Sequence, residues 1–200
     1  MRILHLSQTG LPDLRIEKTA LTMKDEGHEL IFLGGRSFKW QNLNAFSRVL
    51  YLPVGNNLEI ALSPLVKRSW LKAIEKINPD VIHAHNVWVA RFLLGTEYPV
   101  IYDDHEYWSK QMQNLQVKSK KRRATYQPAK MLIPGWEKKL LSRYPVLTTT
   151  ENTAVEHRRI SKWVGVTRNV PSIKQIEGLK GPHNRKGVVY TGGDFALPEF

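Results

Sequence analysis

Short apolar runs recur along the chain, separated by longer segments in which apolar residues follow helical spacing. The runs predict β-strands over residues 2–8, 28–35, 47–54, 80–85, 99–103, 145–150 and 164–170. The segments between them are long enough for the crossover helices that parallel strands require. Strands that alternate with helices in this way predict an α/β fold with a doubly wound, mostly parallel, Rossmann-like sheet.

Capping residues mark several predicted helix ends. Ser63 followed by Pro64 predicts an N-cap and the first turn of a helix. Gly27 stands where a glycine would end the first helix. Asn152 is predicted to cap the helix that directly follows it, and Pro134 is predicted to start or kink the helix before the sixth strand.

The composition changes near the end of the chain. Residues 172–186 are polar and contain glycine and proline, which is typical of an interdomain linker. A further β-rich run over residues 187–191 leads into a glycine pair. We therefore expect residues 1–172 to form an N-terminal domain and residues 173–200 to hold the linker and the first strand of a truncated C-terminal domain.

Composition excludes several classes of protein. A chain of 200 residues with 42% hydrophobic content can bury one sizeable core. No apolar stretch approaches the roughly 20 residues of a membrane span, so we expect a cytoplasmic protein. The chain has 0 cysteines, which excludes disulfides, a thiolate zinc site and a cysteine nucleophile.

The formal net charge of +12 is concentrated in one segment. No acidic residue lies between Glu106 and Glu137, whereas lysine and arginine are frequent there. A cluster in this segment is a candidate contact for an anionic membrane surface or a lipid-phosphate acceptor, and its members are Lys118, Lys120, Lys121, Arg122 and Arg123. A solvated loop is the alternative interpretation.

Polar residues follow four of the predicted strands. They are Thr9 and Gly10 after the first, His85 and Asn86 after the fourth, Asp104, His105 and Glu106 after the fifth, and Glu151 after the sixth. Ligands of open parallel sheets bind beyond the carboxyl ends of the strands, so we expect these residues to converge. His83 and His85 alternate on one strand and share a face, but no carboxylate stands at an obvious ligand spacing, so no metal is expected.

Five sequence motifs resemble, in order and spacing, the successive landmarks of glycosyltransferase family 4. They are PDVIHAHN (79–86), VIYDDHEYW (100–108), VLTTTENTAVEH (146–157), RNVPS (168–172) and VVYTGGDF (188–195). The resemblance implies a retaining enzyme of the GT-B fold. In such enzymes the N-terminal domain binds the acceptor, the C-terminal domain binds the nucleotide-sugar donor, and a metal is not normally required.

The resemblance also implies roles for individual residues. His105 matches an active-site histidine near the donor sugar and its diphosphate, where a neutral imidazole can donate a hydrogen bond. Thr9 and Gly10 match the first strand-to-helix loop, which approaches a diphosphate in relatives that have two adjacent glycines there. This chain has one, so a turn glycine without a ligand role is the alternative. Residues implied to lie near the acceptor are His85, Asn86 and Glu151, and for Glu151 a helix-flanking carboxylate without a ligand role is the alternative.

The expected partners follow from this resemblance. They are a nucleotide-sugar donor, a sugar or lipid-linked acceptor, the chain's own C-terminal domain and an anionic membrane surface, with peripheral association on its inner face. Without the C-terminal domain the chain is expected to be inactive. Two alternatives stay open: a sugar-nucleotide epimerase of similar architecture, and a basic non-catalytic α/β module that binds an anionic membrane or, without sequence preference, nucleic acid.

Overall fold

A computed structural model describes residues 1–35, 44–52, 63–114 and 120–170. The described residues up to Asn169 belong to one compact unit, Met1–Asn169. The predicted boundary after residue 172, the linker and the last predicted strand lie outside the described residues.

Within the described ranges, seven parallel strands form one sheet. They are β1 (Arg2–Ser7), β2 (Glu29–Gly35), β3 (Arg48–Leu52), β4 (Val81–His85), β5 (Val100–Asp104), β6 (Val146–Thr148) and β7 (Val164–Val166). Their order across the sheet is β3-β2-β1-β4-β5-β6-β7, and every neighbouring pair is parallel. The prediction of a doubly wound, Rossmann-like α/β sheet is confirmed.

Helices connect the strands. They are α1 (Leu14–Asp25), α2 (Pro64–Ile77), α3 (Val87–Ala90), α4 (Trp108–Asn114), α5 (Lys120–Arg143) and α6 (Glu151–His157), and a short 3-10 helix (Arg91–Leu93) follows α3. Among the described helices none is both long and apolar enough to cross a membrane.

Two predicted helix ends are confirmed. The Ser63 side chain accepts a hydrogen bond from the Val66 amide at 3.3 Å, and Pro64 is the first residue of α2. Gly27 follows the end of α1 with φ of 81°, a left-handed conformation that favours glycine.

Three of the boundaries that differ from the prediction have a clear physical reason. Thr150, not Asn152, caps α6, because Thr150 has extended backbone geometry and its hydroxyl accepts from the Thr153 amide at 3.2 Å. Helix α5 begins well before Pro134 and contains that proline. Strand β7 ends at Val166 because its three residues pair with the whole of the three-residue β6.

Apolar side chains cover both faces of the sheet. On one face, Leu4 and Leu6 of β1 pack in a cluster with Trp70 of α2 and Ile133 of α5. On the other face, Ile3 of β1 packs in a second cluster with residues of α1. Successive strand residues point to opposite faces, so this register also decides where the polar strand residues lie.

Candidate active site at the carboxyl ends of the strands

The parallel register brings the ends of β1, β4 and β5 together. His85 is the Cα partner of Ser7 on one side and of Asp103 on the other. His5 is likewise the partner of His83. These side chains share the face that α1 covers, because the alternate residues of the same strands belong to the apolar cluster on the opposite face.

Four imidazoles and one carboxylate gather on this face, and three of the imidazoles contact the carboxylate. We define the histidine cluster as His5, His83, His85, His105, Asp103 and Arg15. The Asp103 Oδ2 atom lies 3.2 Å from His83 Nε2, 3.3 Å from His85 Nδ1 and 3.4 Å from His105 Nε2. His85 Nε2 is 3.0 Å from His5 Nδ1, and His85 Nδ1 is 3.1 Å from His105 Nε2. His85 therefore joins the innermost histidine to His105.

Burial and hydrogen bonding set the protonation of His5, His85 and Asp103. Burial is the largest cause that lowers the pKa of His85 to about 3, and the nearby His83 adds to this effect. Burial, with His83 and His85, also holds the pKa of His5 well below its usual value. Burial alone would raise the pKa of Asp103, but hydrogen bonds from His105, His83 and His85 outweigh it and keep that pKa well below its usual range. At neutral pH His5 and His85 are neutral and Asp103 is ionised.

Arg15 balances the charge of Asp103. The Arg15 Nη2 group donates to Asp103 Oδ1, and only 7% of the arginine side chain is exposed. Arg15 lies in the first turn of α1, where Asp13 Oδ1 accepts from its backbone amide at 3.0 Å. Sequence reasoning missed His5, Arg15 and Asp103. Of these, His5 could have been noticed in the sequence, because it is a polar residue within a predicted strand that is mostly apolar.

Asn86 holds the loop that carries His105. Its side-chain Oδ1 accepts from the His105 amide at 3.3 Å and from Trp108 Nε1 at 3.1 Å. Asn86 has φ of 66°, which asparagine tolerates better than most residues. The predicted convergence of His85, Asn86 and His105 is thus observed, whereas their contacts with substrates stay predictions.

The loop after β1 packs closely against β2. The Thr9 amide donates to Ser7 Oγ at 3.2 Å. A Cβ atom at Gly34 would lie 2.7 Å from the Thr9 carbonyl oxygen, so glycine is required there for the loop to approach. Gly10 does not have a positive φ, so its backbone conformation does not require glycine. A diphosphate contact by Thr9 and Gly10 stays a prediction.

Five of the remaining predicted site residues lie at helix starts. Glu151 is the first residue of α6, is exposed, and pairs with Arg158 at 3.5 Å. Lys118 lies outside the described residues. The backbone of Lys120, Lys121, Arg122 and Arg123 forms the start of α5.

A second polar group lies on the opposite face of β5. Asp104 Oδ1 accepts from the Tyr102 hydroxyl at 3.1 Å, and Asp104 Oδ2 lies 2.7 Å from His157 Nε2. Glu137 of α5 is 2% exposed. Burial and then the charge of Asp104 raise the pKa of Glu137 to about 7. We call Asp104, Tyr102, His157 and Glu137 the acidic cluster.

Comparison with known proteins supports the fold. No protein-family model and no curated protein matches the sequence. Sucrose-phosphate synthase from Thermosynechococcus elongatus matches 86% of this chain with a TM-score of 0.60 and 13% identity, over 49% of its own length. Arabidopsis thaliana UGT89C1, solved with UDP-L-rhamnose, matches 88% of this chain with a TM-score of 0.50 and 11% identity, over 54% of its length. The chain therefore spans about half the length of these structures and shares their fold.

Proposed function

We propose that this chain is the acceptor-side half of a two-domain glycosyltransferase, which moves a sugar from a nucleotide-sugar donor to an acceptor with retention of configuration. The shared fold with glycosyltransferases, and the span of about half their length, support this proposal. A second Rossmann-like domain would hold the donor, and the reaction would take place in the cleft between the two. The resemblance to glycosyltransferase family 4 supports the retaining course.

The position of His105 is the observation that carries the proposal. Its Nε2 atom faces Asp103 and His85 inside the cluster, and 12% of its side chain is exposed at the carboxyl edge of the sheet. Within the described residues its Nδ1 atom has no hydrogen-bond partner. Nδ1 is therefore the ring atom open to a substrate. It donates to a sugar hydroxyl or a phosphate oxygen in the tautomer with its proton on Nδ1, in which Nε2 accepts from His85 Nδ1 instead of donating to Asp103.

The charge of the cluster suits an anionic leaving group. The carboxylate of Asp103 is already neutralised by Arg15, and burial keeps His5 and His85 neutral. No free carboxylate of the cluster would then repel a departing nucleoside diphosphate. We propose that the cluster orients His105 without adding negative charge near the donor.

The acceptor side is the other part of the proposal. His85 is fully buried, so we propose that it acts on the acceptor site through His105 and not by direct contact. Asn86 and Glu151 would border the acceptor, and Thr9 with Gly10 would lie near the donor diphosphate. The basic residues from Lys118 to Arg123 would recruit an anionic lipid acceptor or membrane surface by charge.

Turnover of the full-length protein tests the role of His105. We expect His105→Ala to lower kcat by about 100-fold or more, since removal of one hydrogen-bond donor to developing charge costs that much in other enzymes. Release of nucleoside diphosphate from a panel of UDP- and GDP-sugars would be measured with and without acceptor.

His28→Ala provides the matched control, because His28 precedes β2 and so belongs to the opposite, amino edge of the sheet. The control should keep the wild-type rate. A wild-type rate for His105→Ala would remove the proposed role, and no diphosphate release from any sugar nucleotide would remove the transferase proposal.

A further inference from the structure

We infer that His85, His105 and Asp103 form a binding site for one divalent transition-metal ion, with zinc as the representative ion. The site lies at the carboxyl edge of the sheet and uses residues from two strand ends. It does not depend on the transfer reaction, because the inference is drawn from the positions of the ligand atoms alone.

The three donor atoms already have the spacing of metal ligands. His85 Nδ1 and His105 Nε2 are 3.1 Å apart, and Asp103 Oδ2 lies 3.3 Å from the first and 3.4 Å from the second. Tetrahedral zinc has bonds of about 2.0–2.1 Å to nitrogen and oxygen, which places neighbouring ligands roughly 3.3–3.4 Å apart. The triangle therefore has the dimensions of one face of a zinc tetrahedron.

Without a cation the three atoms share at most two protons. If both nitrogens carry protons, both N–H groups must converge on Asp103 Oδ2, and the two nitrogens stay 3.1 Å apart with no bond between them. If only His85 Nδ1 is protonated, the lone pairs of His105 Nε2 and Asp103 Oδ2 face each other across 3.4 Å. Protonation of His105 Nε2 alone leaves the same conflict between His85 Nδ1 and Asp103 at 3.3 Å. A cation removes the conflict because all three lone pairs can bind it.

The surrounding residues match the outer shell of a metal site. Ligating histidines commonly donate their other ring N–H to a neighbour, and ligating carboxylates are themselves hydrogen-bonded. His85 Nε2 lies 3.0 Å from His5 Nδ1, which can accept its proton. Arg15 donates to Asp103 Oδ1, the oxygen that is not a proposed ligand. His83 Nε2 lies 3.2 Å from the ligand oxygen, Oδ2. Each of these contacts fixes the orientation of a ligand.

The donor set indicates the class of ion. Two imidazoles and one carboxylate suit zinc and other first-row divalent ions, whereas magnesium and calcium prefer oxygen ligands. Three protein ligands leave the fourth tetrahedral position for water or an anionic substrate group. The sequence pattern drew attention to His83 with His85, but the structure joins His85 to Asp103 and His105 of the next strand and loop.

Metal titration of the tag-free, chelator-treated chain tests this site. We expect one equivalent of zinc to remain after dialysis, as measured by elemental mass spectrometry. One equivalent of cobalt should give the strong visible absorption of a tetrahedral ion, and zinc should displace it. With 0 cysteines in the chain, thiolates contribute to neither signal.

Ligand variants decide where the ion binds. His105→Asn and Asp103→Asn should each weaken zinc binding by about 100-fold or more, whereas His5→Asn should weaken it by about 10- to 100-fold through the outer shell. His157→Asn is the control, since His157 is also buried and also bonds a carboxylate, but on the opposite face. Circular dichroism of each metal-free variant shows whether it keeps the fold. We expect His105→Asn to keep the fold best, because His105 is the most exposed of the three ligands.

Two results would overturn the inference. One is a wild-type chain that retains no more zinc than His105→Asn. The other is stoichiometric binding that both His105→Asn and Asp103→Asn leave unchanged, which would place the ion elsewhere. Neither result bears on nucleoside diphosphate release, so the transferase proposal is judged separately.

Discussion

Asp103 and Asp104 are consecutive residues at the end of β5, and their carboxylates lie in opposite environments. Asp103 faces three imidazoles and the guanidinium of Arg15. Asp104 faces one imidazole, that of His157, and shares its face of the sheet with the buried Glu137. Because successive side chains of a strand point to opposite faces, the two carboxylates belong to separate buried polar clusters. The clusters differ mainly in the number of basic side chains for each carboxylate.

The number of basic partners decides whether a buried carboxyl group of each cluster stays ionised or holds a proton. In the histidine cluster a single carboxylate is surrounded by donors, so its pKa is held well below the usual range. In the acidic cluster two carboxylates share one histidine, and burial with the charge of Asp104 raises the pKa of Glu137 to about 7. Asp103 therefore keeps its negative charge, whereas Glu137 changes its charge near neutral pH.

The largest expected difference between the faces comes from removing each aspartate. Asp103→Ala leaves the Arg15 guanidinium buried without its carboxylate, and loss of one partner of a buried ion pair costs about 3–5 kcal/mol. Asp104→Ala removes the charge that repels Glu137, which offsets part of its cost. We expect Asp104→Ala to lower the free energy of unfolding by less than Asp103→Ala does, as measured by urea denaturation at pH 7.

Arg15→Met in the Asp103→Ala background tests the cause. If the unpaired guanidinium is responsible, the double variant should regain part of the lost stability. Equal losses for Asp103→Ala and Asp104→Ala, with no recovery in the double variant, would show that the two faces do not differ in this way.

Much of the fold could be predicted because it depends on local patterns. Short apolar runs, the Ser63–Pro64 start and Gly27 gave the parallel sheet and two helix ends. The cap of α6 was misplaced because Thr150 and Asn152 are both good capping residues. The choice between them depends on where β6 stops and on the extended backbone of Thr150.

The site could be predicted only in part. The rule that parallel strands end at one edge found His85, Asn86 and His105. It could not find Arg15, whose partner Asp103 is 88 residues away in sequence. Nor could it find Gly34, whose need for glycine depends on contact with the Thr9 carbonyl. Such pairings exist only once the sheet has formed.

The next largest effect is the pH dependence of the acidic cluster. The pKa of Glu137 is raised from 4.5 to about 7 in the folded chain, so the folded state holds a proton that the unfolded state releases. This contribution is complete below pH 4.5 and is lost as the pH rises through 7. The two pKa values differ by about 2.5, which at ~1.4 kcal/mol per pKa unit corresponds to about 3 kcal/mol.

Glu137→Gln isolates that contribution. Relative to wild type, the variant should gain about 3 kcal/mol of unfolding free energy between pH 4.5 and pH 7.5, as measured by urea denaturation across that range. Glu151→Gln, at an exposed position, should follow the wild-type curve. Parallel curves for wild type and Glu137→Gln would show that Glu137 does not hold the proton, and the contrast with the Asp103 face would fail.

The smallest expected effect concerns the helix that brings His157 to Asp104. Thr150 caps α6, and Thr150→Ala should cost about 1 kcal/mol of unfolding free energy. Asn152→Ala is the matched control, because Asn152 lies inside α6, where alanine is the better helix former. In nitrogen NMR spectra Thr150→Ala should shift the His157 ring signals and leave those of His85 unchanged, since α6 supplies no residue to the histidine cluster. Equal responses of both histidines would mean that the two faces of β5 are coupled, and a larger loss for Asn152→Ala would move the cap to that residue.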